Sequence, residues 1–73
     1  MSPTKAMEEV VRIVGSKAEV ARKLDVKAPT VSQWCSGERP VPAKRALELE
    51  KLSGGLVSKA ALCPDFPWQQ LAS

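Results

Sequence analysis

The chain has 73 residues, is 44% hydrophobic and 26% charged, and carries a formal net charge of +3. We expect one small globular domain over residues 1 to 73, and neither a second domain nor a membrane span, because the apolar runs are too short to cross a bilayer. Histidine is absent and Cys35 and Cys63 lie 28 positions apart, which excludes the usual zinc spacings. We therefore expect reduced thiols, no metal, no cofactor, no small-molecule substrate and no enzymatic activity.

An amphipathic first helix is predicted over residues 3 to 14. Ser2 before it and Gly15 after it are typical cap residues. The segment carries Glu8 and Glu9 and does not resemble a signal peptide, so we expect a cytoplasmic protein. The apolar stripe that gives this helix a scaffold role consists of Met7, Val10, Val11 and Val14.

Two short helices joined by a tight turn are predicted between Lys17 and Ser36. Ser16 and Glu19 have the spacing of a capping box, which predicts that the second helix begins at Ser16 or Lys17. Ala21 lies where the two helices would approach most closely, and a larger side chain there would push them apart. The apolar side chains spaced to pack across the bend between the helices are Val20, Leu24, Val26, Val31 and Trp34.

The third helix is predicted to begin close to Pro29, because the missing N–H of proline deprives no carbonyl of a partner in a first turn. A turn over residues 36 to 38 and an extended stretch over residues 39 to 42 follow, since prolines disfavour helix before them. A fourth helix is predicted from near Pro42 to about Leu52, ended by two glycines. Four helices then enclose one core.

Residues 3 to 55 form the predicted core of the domain. The sequence pattern does not decide the secondary structure of the tail, residues 56 to 73. Ser58 is placed to cap a short helix through Leu62, but an irregular segment or β structure fits the apolar run equally well. Large apolar side chains interrupted by prolines cannot form a core of their own, so we expect them to pack on their own domain or on a second subunit. The dimerisation candidates are Leu56, Val57, Phe66 and Trp68.

Positive charge is concentrated in the middle of the chain. Residues 15 to 45 carry seven basic and three acidic residues, a net charge of +4, whereas residues 1 to 14 sum to zero and residues 46 to 73 to −1. A solvated basic face would give the same distribution. Combined with two helices across a tight turn, the distribution favours DNA binding.

Several motifs between about residues 15 and 71 resemble those of the helix-turn-helix in the phage Cro and lambda repressor families. They are most similar to small prophage Cro-like regulators of the YdaS type. Asp25 departs from the family pattern, which has glycine there, and Lys27 stands where a Ser or Thr cap is common. The motifs are Ala21, the APTVSQW run from Ala28 to Trp34, the SGER loop from Ser36 to Arg39, and the LCPDFPWQQL tail from Leu62 to Leu71.

The resemblance implies an all-α fold of four to five helices and a sequence-specific repressor that inserts its third helix into the major groove of an operator. One such helix contacts too few bases for useful specificity, so we expect a homodimer on a pseudo-palindromic double-stranded operator. The dimer would form either in solution or only on DNA. The resemblance also leaves open an antitoxin-type protein-interaction module that autoregulates its operon.

Helical geometry and the resemblance together assign candidate DNA contacts. Gln33 is the strongest candidate for base readout, because its amide can bond adenine N6 and N7 together. The alternative is that Gln33 and Ser32 are simply exposed polar residues. The residues expected to face bases are Lys27, Ala28, Pro29, Ser32 and Gln33. The residues expected to meet phosphates are Ser16, Lys17, Thr30, Ser36, Arg39 and Lys44.

Overall fold

The computed structural model describes residues 2 to 68, which form five α-helices and contain no strand. The first four helices lie within one residue of the predicted positions. Of the structures left open for the tail, the short helix is observed, while the end of the tail motif, through Leu71, lies outside the described residues. The helices are α1 (Pro3–Val14), α2 (Lys17–Leu24), α3 (Ala28–Ser36), α4 (Ala43–Leu52) and α5 (Lys59–Leu62).

Helix α1 is the centre of the fold, because it packs on each of the other four helices. Helices α2 and α3 pack closely on each other, and α4 packs on α5. Ala21 is buried, as expected for a small residue at the α2–α3 contact. The core is formed by Ala6, Met7, Val10, Val20, Ala21, Leu24, Val31, Trp34, Cys35, Val41, Ala46, Leu49, Val57 and Leu62.

Serine side chains cap three of the helices. The Oγ atoms of Ser2, Ser16 and Ser58 accept hydrogen bonds from amides three residues ahead, at 3.3, 3.1 and 3.1 Å. A capping box also requires the Glu19 carboxylate to accept a hydrogen bond from the Ser16 N–H, and this part of the prediction is wrong. The carboxylate pairs instead with Arg22, with Nη2 and Oε2 2.6 Å apart. This hydrogen bond lowers the pKa of Glu19, but both side chains lie largely in solvent and the pair stabilises the fold little.

The turn between α2 and α3 is a Schellman motif with an aspartate in the left-handed position. Asp25 has φ 58° and ψ 45°, a left-handed conformation usually given to glycine. Its N–H donates to the Arg22 carbonyl at 3.3 Å, and the Val26 N–H donates to the Ala21 carbonyl at 3.0 Å. Two carbonyls at the end of α2 are thereby satisfied as the chain reverses into α3.

The segment between α4 and α5 is held by a buried serine. Ser53 Oγ donates to the Glu50 carbonyl at 2.8 Å and accepts from the Val57 N–H at 3.0 Å. Val57 is only 2% exposed and belongs to the core of its own chain. Of the predicted dimerisation candidates, Val57 thus has the least side-chain surface to offer a second subunit. The neighbouring Leu56 is 78% exposed.

The described part of the tail folds back onto its own domain. The Trp68 indole is half-buried against the core, and its Nε1–H donates to the Cys63 carbonyl at 2.8 Å. The Phe66 ring lies on it, with the two centroids 4.5 Å apart, and Lys59 Nζ lies 5.7 Å from the Trp68 ring centroid. Trp68 therefore packs on its own domain, one of the two expected arrangements.

The two cysteines are free and differ in accessibility. Cys35 is 8% exposed on the inner face of α3, and burial raises the pKa of its thiol. Cys63 is half-buried at the end of α5. The expectation of reduced thiols packed as small apolar groups agrees with both positions.

Replacing Asp25 with glycine is expected to raise the free energy of unfolding by about 0.5 to 1 kcal/mol. Glycine removes the steric cost that aspartate pays in the left-handed conformation. This gain in folded-state free energy is larger than the loss that glycine causes by adding entropy to the unfolded chain. The measurement is urea denaturation followed by circular dichroism.

Two further variants separate conformation from charge at this position. Asp25→Asn removes the charge but keeps a side chain that tolerates the left-handed region, so it should fall between the unaltered protein and Asp25→Gly. Asp25→Ala should destabilise the fold. Equal stability of the alanine and glycine variants would contradict the conformational explanation.

Iodoacetamide should alkylate Cys63 before Cys35 under native conditions. Access and thiolate fraction both limit the reaction of Cys35, because its thiol is buried and its pKa is raised. Mass spectrometry of Cys35→Ala and Cys63→Ala variants reports each site separately. In denaturant the two rates should converge, and a faster native reaction at Cys35 would contradict the structure.

Candidate nucleic-acid interface

Helix α3 has one buried face and one face in solvent. Its inner face is fixed by Val31, Trp34 and Cys35, all of which lie in the core. At 3.6 residues per turn, the opposite face must present Pro29, Ser32 and Gln33, of which Pro29 is exposed and the other two are partly exposed. Ala28 lies on the side of Val31 and Cys35 but is exposed because it begins the helix. The structure therefore brings three of the base-reading candidates together on one face, with Ala28 exposed at the start of the same helix.

Lys27 occupies the cap position of α3 and is exposed. Its side chain makes no capping hydrogen bond, in agreement with the weaker cap expected from the sequence. The Thr30 N–H donates to the Lys27 carbonyl at 3.0 Å, and the Thr30 side chain lies at the border between the inner and outer faces. The positive end of the α3 dipole and the Lys27 ammonium thus lie at the same edge of the outer face.

The start of α2 presents a second set of donors. Lys17 is exposed at the first position of the helix, and the Ser16 side chain is exposed beside it. Ser16 Oγ accepts from the Glu19 amide, so its own O–H remains able to donate. The arrangement suits a phosphate oxygen, since hydroxyl, ammonium and helix dipole all favour negative charge at this end.

The loop after α3 leaves Arg39 exposed, but Ser36 is committed to the turn. Ser36 Oγ donates to the Gln33 carbonyl at 3.2 Å and accepts from the Glu38 N–H at 3.3 Å. The Arg39 N–H also donates to the Gln33 carbonyl, at 3.2 Å. The backbone that carries Arg39 is therefore tied to the end of the reading helix, while the Ser36 hydroxyl hydrogen serves the turn.

Close packing fixes the end of α3 against α1. Gly37 ends the helix with φ 84°, and a Cβ atom there would lie 3.0 Å from Thr4 Cγ2. Only glycine meets both the conformation and the space without strain. Lys44, the remaining phosphate candidate, is exposed in the first turn of α4.

The sequence did not predict the contact that Arg45 makes between α4 and the end of α2. Its Nη1 donates to the carbonyl of Leu24, the last residue of α2, at 3.1 Å, and to Glu48 Oε1 at 3.0 Å. The Arg45 and Glu48 spacing indicates an ion pair within α4 but gives no sign of the partner 21 positions earlier. The contact is visible only once the helices are packed.

Metal-ligating clusters and membrane-spanning helices are both absent from residues 2 to 68. This part of the chain contains no group of three or more His, Cys, Asp or Glu side chains able to hold a metal ion. None of its helices is both long and apolar enough to cross a membrane.

Comparisons with known proteins agree with the helix-turn-helix geometry. The chain is 35% identical over 66 residues to "Putative transcriptional regulator YdaS" of Escherichia coli (strain K12), which covers 90% of this chain and 67% of that protein. It is 41% identical over 73 residues to "Regulatory protein cro" of Pseudomonas phage D3, which covers 96% of each chain. No solved structure matches.

A family model described as "Bacterial toxin YdaS" matches residues 7 to 71, which include all five helices except the start of α1. It ends at the same residue as the segment over which the motifs resemble YdaS-type regulators and begins earlier, within α1. The chain belongs to the YdaS family.

Proposed function

We propose that this protein is a sequence-specific DNA-binding transcriptional regulator, a phage or prophage Cro-like repressor. The observation that carries the proposal is the outer face of α3, where Pro29 is exposed and Ser32 and Gln33 are partly exposed while the opposite face forms the core. The names of the two relatives, a transcriptional regulator and a phage Cro protein, support it. The protein would act in the cytoplasm of a bacterium or an infected cell, where its operator lies.

In this proposal α3 enters the major groove with its N-terminal half against the base edges. Gln33 bonds adenine N6 and N7, and Ser32 donates to or accepts from a neighbouring base. Ala28 and Pro29 contact thymine methyl groups. Lys27, exposed at the edge of this face, reaches either a guanine or a phosphate.

The phosphate contacts flank the groove on both sides. Ser16 and Lys17 hold one strand at the start of α2, and Arg39 and Lys44 hold the other from the loop and α4. Thr30 joins them at the border of α3. We leave Ser36 out of this set, because its hydroxyl hydrogen already serves the Gln33 carbonyl.

A homodimer on a pseudo-palindromic operator would supply the specificity that one reading helix lacks. Its half-sites would lie about 34 Å apart, one turn of B-DNA. Of the four candidates for the subunit contact, Leu56 is 78% exposed, Phe66 and Trp68 are partly exposed and Val57 is buried. Assembly would occur either in solution or on the operator.

An antitoxin-type module is the competing hypothesis, since the matched family carries a toxin in its description. An antitoxin would bind a protein through the tail and use DNA binding to autoregulate. Co-purification of a stoichiometric partner from the parent cell, lost when Leu56 and Phe66 are changed to serine, would favour it over the repressor.

The proposed function is tested by fluorescence titration of the protein against DNA from upstream of its own gene. At about 150 mM salt, binding to one upstream duplex should be at least about a thousand times tighter than to a scrambled duplex. Equal affinity for all duplexes would end the proposal. DNase footprinting of the tight duplex should show protection in two halves about one helical turn apart.

Gln33→Ala should weaken binding by about 1 to 3 kcal/mol and relax the preference at one base pair per half-site. The matched control is in the DNA: 7-deazaadenine at that position removes the N7 acceptor. The modified base should weaken binding of the unaltered protein but add nothing to the loss in Gln33→Ala. Independent, additive losses would contradict the assigned contact.

Lys17→Ala should weaken binding to specific and non-specific duplexes alike. Because one phosphate contact is lost, the slope of log K against log salt should become shallower by about one for each subunit. Lys51→Ala removes the same charge from the last turn of α4 and should leave the slope unchanged. Equal slopes for the two variants would show that Lys17 meets no phosphate.

A further inference from the structure

Arg45 makes an unusual contact between two helices that otherwise meet little. Its side chain is 28% exposed, and its Nη1 lies 3.1 Å from the Leu24 carbonyl oxygen and 3.0 Å from Glu48 Oε1. Among residues 2 to 68, no other side-chain hydrogen bond spans as many positions as the 21 between Arg45 and Leu24. The contact therefore joins distant parts of the chain.

The acceptor is well matched to a guanidinium group. Leu24 ends α2, so its carbonyl lies at the negative end of the helix dipole, where carbonyls lack partners within the helix. A charged donor forms a stronger bond there than a neutral one. Glu48, one turn further along α4, accepts a hydrogen bond from the same Nη1 and so helps to hold the guanidinium in place. Arg45 thus binds the end of α2 directly before the left-handed Asp25.

This bond is the direct polar link between α4 and the helix-turn-helix. Helix α4 packs mainly on α1 and α5. Within the described part of the chain, no other side-chain hydrogen bond connects α4 with α2 or α3. The distance between the α2–α3 pair and α4, which carries Lys44, is therefore fixed by this one side chain together with the packing of both on α1.

We propose that Arg45 is a positioning residue for DNA recognition. It holds Lys44 and α4 at a fixed distance from the reading helix, so that the phosphate contacts on both sides of the groove and the base contacts of α3 form together. Non-specific binding needs only the phosphates, whereas base readout needs the correct placement of α3 as well. The inference rests on the proposed function and adds to it a residue that touches no DNA itself.

The test compares Arg45→Met with the unaltered protein on the operator and on a scrambled duplex. Methionine keeps much of the apolar stem but cannot donate to Leu24. The ratio of specific to non-specific affinity should fall by about tenfold, while the salt slope of non-specific binding stays the same. An unchanged ratio would overturn the proposal. So would an equal loss on both duplexes with a shallower slope, since that would make Arg45 a phosphate contact.

Two further variants serve as controls. Lys51→Met removes the same charge from the same helix and should change the ratio by less than about twofold. Arg45→Lys retains one charged donor and should recover part of the ratio. If Arg45→Met does not fold at the assay temperature, Arg45→Lys and Glu48→Gln still decide the matter. Each of these two variants should reduce the ratio of specific to non-specific affinity, and Glu48→Gln should reduce it by less than Arg45→Met would. An unreduced ratio in both variants would reject the positioning role.

A structural readout separates positioning from general loss of stability. The backbone 13C and 15N resonances of residues 24 to 27 should move in folded Arg45→Met but not in Lys51→Met. Failure of the proposed function would look different, because the unaltered protein itself would then show no preference for the operator.

Discussion

The burial of Val31, Trp34 and Cys35 is the constraint on which the rest of the interface depends. With 3.6 residues in each turn, fixing these three side chains in the core leaves no freedom about which residues of α3 face solvent. The outer face, which carries Pro29, Ser32 and Gln33, is therefore held toward solvent by the packing of the inner face rather than by contacts of its own. A helix only nine residues long would be marginal in isolation, so the core supplies both its stability and its orientation.

The turn before α3 adds to this constraint. Asp25 adopts a left-handed conformation, which lets the chain reverse within three residues. Carbonyl groups at the end of α2 that lack partners within the helix accept hydrogen bonds from two backbone amides and from Arg45. In a chain of 73 residues the core is small, and individual bonds of this kind carry more weight than in a larger domain. The exposed ion pairs, such as Arg22 with Glu19, add little by comparison.

Helix positions could be predicted because their causes are local. Serine caps, proline in a first turn, glycine at a helix end and apolar spacing each act within a few residues, and together they located the first four helices, while α5 remained one of several alternatives. Contacts set by packing could not be predicted. The sequence contains nothing to indicate that Arg45 would bind Leu24, or that Val57 would be drawn into the core while its neighbour Leu56 stayed outside. The sequence likewise does not decide whether the Glu19 carboxylate bonds the Ser16 N–H or the Arg22 guanidinium, because both interactions are weak.

The central claim is that the outer face of α3 is the surface that meets DNA. The most direct measurement is a 15N heteronuclear correlation titration of the protein with the upstream duplex, with resonances assigned. The account predicts that the largest amide shifts fall at residues 27 to 33, with a second group at the start of α2 around Lys17 and in the loop at Arg39. Shifts centred on Leu56 and Phe66, with residues 27 to 33 unchanged, would contradict it.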